Sequence, residues 1–343
     1  MHQIFSTNSE FTNQVNSFID INYKSSKIAL LVDENTATHC LPLVMPILKD
    51  RDYYLMYIDS GERNKNIQTS KKLWQRLIDL KFDRNSLLIV LGGGVLCDIG
   101  GFIATTYKRG IDMIYIPTTL LAQTDAAWGG KNGINFSNYK NQIGTINLPS
   151  LIAVNTDFLQ TLPNREFSSG LAEIIKHGII GDKSILEDMN NNQQLSHNNI
   201  MSILKKSIQV KINIVSTDFE DKGERKKLNF GHTVGHAIES VYEEKYNHGE
   251  CVAFGMLTSL YLSKQLLGLN EDTYEYCCNI IRKNITIPKI YAEEFPSIIN
   301  KMYQDKKNYN GEINFVLLKS IDEPVINIPV DENLILEALL HNI

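Results

Sequence analysis

Disulfide chemistry has little to work with in this chain. Its five cysteines, Cys40, Cys97, Cys251, Cys277 and Cys278, are odd in number and scattered, with one adjacent pair and no Cys-x-x-Cys. That pattern excludes a cysteine zinc knuckle and a disulfide scaffold, and it suits a reducing, cytoplasmic setting. Positive charge is not in excess either. The formal net charge is −5, so no overall basic field draws nucleic acid or anionic lipid. No apolar run is long enough to span a bilayer, so no membrane partner is expected. The opening MHQIFSTNSEFTNQ has no basic n-region and no apolar h-region, so no signal peptide is expected. Internal repeats are absent. What remains is an ordinary globular composition, 43% hydrophobic and 21% charged over 343 residues. That length suits about two domains.

The first half alternates strands and helices. KIALLV (Lys27–Val32), YYLMYI (Tyr53–Ile58), SLLIVL (Ser86–Leu91), Met113–Ile116 and Ile152–Asn155 read as short buried strands, with a helix at Leu73–Leu80. The near-pure apolar runs mark strands covered on both faces, so a mostly parallel sheet is expected. Directly after SLLIVL comes Gly92-Gly93-Gly94-Val95-Leu96-Cys97-Asp98. Strand, glycine loop and helix together bind phosphate through backbone N–H groups and a helix N-terminus. The run is not a dinucleotide fingerprint, because Cys97 stands where a small third residue would be needed. Asp33, after the first strand, suits a helix cap or a ribose contact. Thr118 and Thr119 can cap the next helix or bond a cofactor. Lys131 and Lys140 fall in Gly- or Asn-rich stretches read as loops, with Arg109 upstream. Solvated loop lysines or an anion pocket both fit that spacing.

Past Thr161-Leu162-Pro163 the period becomes helical and strands nearly vanish. The chain therefore reads as two domains, an α/β domain over 1–162 and a mainly helical one over 163–343. SGLAEIIKHGII (Ser169–Ile180) places Glu173, Lys176 and His177 on one helix face. A buried Glu needs a cation, and an exposed Glu–Lys pair is the plainer alternative. RKKLNFGHTVGHAIESVYEEKYNHGE (Arg225–Glu250) is the stretch richest in chemistry. His232 and His236 lie one helical turn apart and can meet at one point, as helix-borne metal ligands do. His248 follows in a turn-like break, before a helix expected from about Val252 to Leu266. Ile313–Leu318 reads as a late strand, and Asp331 as the cap of a closing helix, Glu332–Leu340.

Nine segments occur together and in order: GGGVLCD, FIATTYKRG, PTTLLAQTD, GGKNGIN, YKNQIG, TLPNREF, GLAEIIKHG, KKLNFGHTVGHAIES and NHGE. In this set the chain resembles the 3-dehydroquinate synthases, within the sugar phosphate cyclases. The resemblance implies a Rossmann-like NAD-binding α/β domain followed by a mainly α-helical metal-binding domain. It implies NAD and a divalent metal, zinc foremost and cobalt as an alternative. It implies 3-deoxy-D-arabino-heptulosonate 7-phosphate as substrate, and a homodimer.

Matched position by position, the resemblance makes Glu173, His232 and His248 the metal ligands. It moves His236 from ligand to a residue that contacts substrate phosphate or transfers protons. Arg109, Asp125, Lys131, Lys140, Asn141, Lys176, Lys211, Arg225, Asn229 and one of Lys306 or Lys307 match positions around the substrate. Asp33, Asn35, Glu62, Lys65, Gly93, Gly94, Val95, Asp98, Thr118, Thr119, Leu121, Phe158 and Thr161 match NAD contacts. The chain departs from the family pattern at Ala127, Trp128 and Asn132, where Ser, Val and Thr are usual. Trp128 is the large change, next to the expected substrate loop.

The implied reaction oxidises a substrate hydroxyl transiently, eliminates phosphate, reduces the ketone again and closes a carbocycle. Asp98 and the Lys131, Lys140–Asn141 set favour dehydroquinate formation over the inosose- and valiolone-forming relatives. The rivals are another sugar phosphate cyclase, a metal-dependent polyol dehydrogenase, and a pseudoenzyme that binds NAD without turnover.

Overall fold

The computed structural model describes residues 1–137, 139–191, 195–304 and 312–343. Lys306 and Lys307 lie outside the described residues. The chain divides into two compact units. The first comprises Met1–Pro163 with His197–Met201, and the second Asn164–Ser196 with Ser202–Ile343.

The first unit is built on a six-stranded sheet. In chain order the strands of this unit are β1 (His2–Phe5), β2 (Ile28–Val32), β3 (Tyr53–Tyr57), β4 (Leu87–Gly92), β5 (Asp112–Pro117), β6 (Lys131–Phe136), β7 (Tyr139–Ile146) and β8 (Leu151–Val154). The sheet order is β1-β8-β5-β4-β2-β3, and every pairing in it is parallel. β2, β4 and β8 are buried along their whole length, as their apolar sequences require. On one face Ile28, Leu30, Val32, Leu87, Ile89, Leu91, Ile114 and Ile116 pack with Phe11, Val15 and Ile19 of the Asn8–Asn22 helix. Each such side chain contributes about 1.5–3 kcal/mol on burial. On the other face lies the Gly94–Thr106 helix. A Cβ at its Gly101 would overlap the Tyr115 hydroxyl and the Asn132 amide. Only glycine lets helix and sheet come that close.

Parallel pairing puts like ends together. Gly92 of β4 stands opposite Pro117 of β5, and Leu31 of β2 opposite Val90 of β4. The loops after β2, β4 and β5 therefore share one edge of the sheet. β2 and β4 flank the point where the strand order reverses, the usual ligand edge of open α/β sheets.

Two expectations change here. The stretches carrying Lys131 and Lys140 are strands: β6 and β7 form an antiparallel hairpin with Lys131 opposite Ile146. Hydrophobic alternation is weak in both: β6 buries Asn132 and Gly133 beside Ile134, and β7 is largely exposed. β1 and the Asn8–Asn22 helix went unread, since the opening residues are mixed in polarity and β1 is a partly exposed edge strand. The Leu73–Leu80 helix begins earlier, at Ile67, because the Asn66 side chain caps it through Thr69 N at 2.9 Å.

The second unit is mainly helical. Its long helices are Asn164–Gly181, Met201–Thr217, His232–Tyr242, His248–Leu267 and Glu271–Asn284. β9 (Ile313–Leu318) pairs antiparallel with β10 (Pro324–Val330), a strand whose two prolines hid it from a sequence reading. Asp331 caps the closing Glu332–Leu340 helix through Asn333 N at 2.9 Å. All five cysteines are free and buried. Among the described residues no helix is long and apolar enough to cross a membrane.

Candidate active site

In the first unit the glycine loop opens the Gly94–Thr106 helix with Gly93 as N-cap. Among the described residues no side chain caps that helix end, which leaves its first N–H groups to an anion. A Cβ on Gly93 would press on Thr119 Cγ2 at 3.0 Å, so the cradle there is fitted to bare backbone. Thr119 Oγ1 accepts from Ala122 N at 3.1 Å, at the start of the π-helical turn Ala122–Ala126, and Thr118 is buried at the sheet edge. Asp33 forms a capping box with Thr36, its Oδ1 accepting from Thr36 N at 2.8 Å. The cap reading therefore holds for one oxygen. Asn35 beside it is exposed.

Lys65 is buried between two carboxylates, 3.0 Å from Glu62 Oε1 and 3.0 Å from Asp98 Oδ2. Burial pushes the Asp98 carboxyl up, against the pull of Lys65. Burial also opposes the Lys65 charge, but Asp98 and Glu62 outweigh it and raise the ammonium. Asn135, which sequence reading missed, ties this group to the hairpin. Its Nδ2 donates to Glu62 Oε1 at 2.8 Å, and its Oδ1 accepts from Asn141 N at 3.0 Å. Val95 and Leu121 are half-buried, Thr161 is exposed, and Phe158 lies in the core against Phe11. Arg109, Lys131, Lys140 and Asn141 are exposed on the unit's surface, with Arg109 in a left-handed turn at φ 71°.

Trp128 is only 2% exposed. Its indole stacks on Phe5, ring centroids 6.0 Å apart, and Nε1 donates to the Gln123 carbonyl at 2.6 Å. Its bulk is taken up by packing within the unit. Gln123 in turn donates to the Pro117 and Asn155 carbonyls, at 3.0 and 2.8 Å. This bonding holds the turn that carries the half-buried Asp125. Asn132 accepts from the Tyr115 hydroxyl at 2.7 Å and donates to the Gly130 and Asn147 carbonyls.

In the second unit three helices converge. Gly231 ends a tight turn at φ 77° and starts the His232–Tyr242 helix. A Cβ at Gly255 would overlap the Gly231 carbonyl, and one at Gly249 would overlap the Ser169 backbone. These contacts bring the His248–Leu267 helix against both others. Asn247 starts it with a capping box to Glu250, so His248 is its first residue rather than part of a break. Glu250 is also held by Arg165 through Nε at 2.8 Å and Nη2 at 2.7 Å.

The result is a cluster of Glu173, His232 and His248 whose ligand atoms all lie within 4.8 Å of one another. Glu173 is 0% exposed and Lys176 1%, and the two form an ion pair. The Glu–Lys pair is thus interior, not a solvated surface pair. His232 Nε2 and His248 Nε2 stand 3.5 and 3.3 Å from Glu173 Oε1. Two ligands each about 2.1 Å from a tetrahedral zinc ion lie about 3.4 Å apart. The donor set and its spacing fit such an ion. Burial opposes charge on His248, but Glu173 and Glu239 hold its imidazolium and push its pKa up to about 10. The His236 ring lies 5.1 Å from that of His232 and 6.1 Å from that of His248, so it borders the cluster. His236, Glu239 and His248 also converge. Lys211 and Arg225 are buried, and Asn229 is half-buried.

Family comparison agrees with both units. Residues 55–169 match the model of the 3-dehydroquinate synthase N-terminal domain, and 170–308 that of its C-terminal domain. The 3-dehydroquinate synthase of Parabacteroides distasonis is 38% identical over 324 residues, covering 92% of this chain and 91% of that protein. The chain belongs to the 3-dehydroquinate synthase family. A Pyrococcus abyssi member is 40% identical over 316 residues, covering 91% and 92% of the two chains. The chain is accordingly an enzyme of the sugar phosphate cyclase class. Its fold is that of a solved 2-deoxy-scyllo-inosose synthase complexed with carbaglucose-6-phosphate, NAD⁺ and Co²⁺. The TM-score is 0.89 at 23% identity, covering 99% and 96% of the two chains. A Streptomyces hygroscopicus 2-epi-5-epi-valiolone synthase with NAD⁺ and Zn²⁺ bound follows at TM-score 0.86 and 23% identity, with the same coverage.

Proposed function

We propose that this chain is a 3-dehydroquinate synthase. It would convert 3-deoxy-D-arabino-heptulosonate 7-phosphate to 3-dehydroquinate and phosphate. The observation that carries the reading is the buried convergence of Glu173, His232 and His248 in a chain of this family. A divalent ion, zinc or cobalt, held by these three would supply a Lewis acid that acidifies a substrate hydroxyl. NAD, held along the edge formed by Asp33, Gly93, Gly94 and Thr119, would supply a hydride acceptor that returns its hydride.

The chain's own residues do the rest. Lys176, Lys211 and Arg225 place buried positive charge in the second unit, suited to a substrate carrying both a phosphate and a carboxylate. His236, beside the cluster, is placed to contact the phosphate or pass a proton. Asp125 orients substrate hydroxyls from a turn pinned by Gln123 and Trp128. The remaining substrate assignments, Arg109, Lys131, Lys140, Asn141 and Asn229, rest on the family match. Cytoplasmic placement and a homodimer are proposed on the same ground.

The deciding assay measures phosphate released from the heptulosonate phosphate with catalytic NAD⁺, with and without a chelator. Turnover that stops with chelator and returns with zinc supports the reading. Stoichiometric NADH without phosphate would show a polyol dehydrogenase. Phosphate released from a hexose 6-phosphate but not from the heptulosonate would show an inosose-type cyclase.

A further inference from the structure

The two histidines of the cluster are held by different means. His232 Nδ1 meets the Phe230 carbonyl at 3.0 Å, a main-chain acceptor. A carbonyl can only accept, so Nδ1 carries the proton and Nε2 faces Glu173 with its lone pair. Among the described residues His248 Nδ1 meets a side chain instead of a main-chain carbonyl. Its Nδ1 lies 3.4 Å from Glu239 Oε2, while its Nε2 lies 3.3 Å from Glu173 Oε1. The imidazole thus bridges two carboxylates. Glu239 comes from the same helix as His232, two turns further on, and its side chain is largely buried at 17% exposure.

We infer that Glu239 is a positioning residue: it accepts the Nδ1 proton of His248 and so fixes the tautomer and ring angle that aim Nε2 at the ion. This rests on the metal reading of Glu173, His232 and His248. The chemistry is a carboxylate–histidine–metal relay, in which the outer carboxylate orients the ring and raises the basicity of its other nitrogen. The asymmetry makes it testable. The Phe230 carbonyl cannot be removed by changing a side chain, whereas the Glu239 carboxylate can. A competing role is visible in the same geometry, because Glu239 also converges with His236 and His248 closely enough to ligate an ion itself.

The test compares zinc affinity, by competition with a chromophoric chelator, in the full-length protein and its Glu239→Ala, Glu239→Gln and Glu173→Ala variants. Absorption of the cobalt-loaded proteins reports the ligand set. Positioning predicts zinc binding weaker by about 10- to 100-fold in Glu239→Ala. It predicts a smaller loss in Glu239→Gln, which keeps an acceptor, and a cobalt band of unchanged shape in both. Circular dichroism melts show that each variant is folded, and Glu239→Gln keeps the size of the side chain should Glu239→Ala misfold. Unchanged affinity in folded Glu239→Ala, with wild type binding zinc, overturns the inference alone. A loss as large as that of Glu173→Ala with an altered cobalt band makes Glu239 a ligand and also overturns it. Failure of the wild type to bind zinc overturns the site reading and this inference with it.

Discussion

Beside the glycine loop of the first unit, the polar groups are tied to one another. Lys65 joins Glu62 and Asp98, Asp33 caps its own helix, and Gln123 holds two carbonyls. Each has a structural reason to be where it is, and what the loop leaves open is backbone. The second unit is arranged the other way. Its backbone is closed by helix contacts at Gly231, Gly249 and Gly255, and side-chain donors converge at a buried point. Glu173 pairs with the buried Lys176 and also faces two imidazoles, a donor set of the kind that holds a metal cation. The first region thus offers main-chain N–H groups, and the second a buried cluster of charged and metal-ligating side chains.

The strongest way to break that contrast is Glu173→Ala. Zinc binding and phosphate release should fall to background. NAD affinity, measured by fluorescence titration, should change less than twofold. Lys176 loses its buried carboxylate, so folding stability should drop by about 3–5 kcal/mol in a denaturant melt. Loss of NAD binding alongside metal would show that the two regions do not act separately.

A pair of alanine substitutions sharpens it. Gly255→Ala pushes a methyl group into the Gly231 carbonyl, and Gly101→Ala pushes one into Tyr115 and Asn132. Each should destabilise by about 1–3 kcal/mol through overpacking. Their site effects should differ. Gly255→Ala should weaken zinc binding by shifting His232 against His248, while Gly101→Ala should leave it unchanged. Chemical denaturation and the chelator titration together check both.

The same contrast governs how much could be read beforehand. The parallel sheet was legible because β2, β4 and β5 are apolar runs bounded by Asp, Gly and Thr. The β6–β7 hairpin was not, since β7 is exposed, β6 buries Asn and Gly rather than an apolar run, and the lysines of both read as loop. Spacing alone pairs His232 with His236, because it sees neighbours on one helix. It cannot see that Glu173 and His248 arrive from two other helices, 59 residues before His232 and 16 after it. The nine-segment resemblance supplied that association. Asn135 and Glu239 stayed unread for another reason: their importance lies in which side chain they touch, and neither sits in a spacing pattern of its own. Trp128 looked like a change at the substrate loop because its neighbours Gly129, Gly130 and Lys131 do, yet its ring turns inward onto Phe5.

A smaller effect is expected at Lys65. Lys65→Met removes the cation between Asp98 and Glu62 and leaves Asp98 largely buried beside another carboxylate. Burial already pushes the Asp98 carboxyl up, and without Lys65 it should rise further. The lost charged hydrogen bonds are worth about 1.5–3 kcal/mol. NAD affinity should fall about tenfold at pH 7, and zinc affinity should hold. Equal NAD binding in the variant would mean that this buried group serves only the fold.

The smallest effect lies in the second unit, where a carboxylate meets backbone N–H groups, the same pairing the glycine loop offers an anion. The Asp218 carboxylate accepts from the N–H groups of Lys222, Gly223 and Arg225, at 2.9, 2.7 and 3.1 Å. These bonds favour the ionised form and push its pKa down to about 2. An unfolded Asp titrates near about 3.9. The folded value is the lower one, so the stabilisation is fully present above about pH 4 and is lost as pH falls through about 2. Asp218→Asn should therefore lower stability modestly at neutral pH, and the gap to wild type should close in acid. Arg225 is held by this turn through its backbone N–H and donates Nη1 to the Phe219 carbonyl at 2.8 Å. The variant should consequently raise KM for the anionic substrate more than it lowers kcat. A stability gap that does not narrow between pH 5 and pH 2 would show that the carboxylate charge is not what holds the turn.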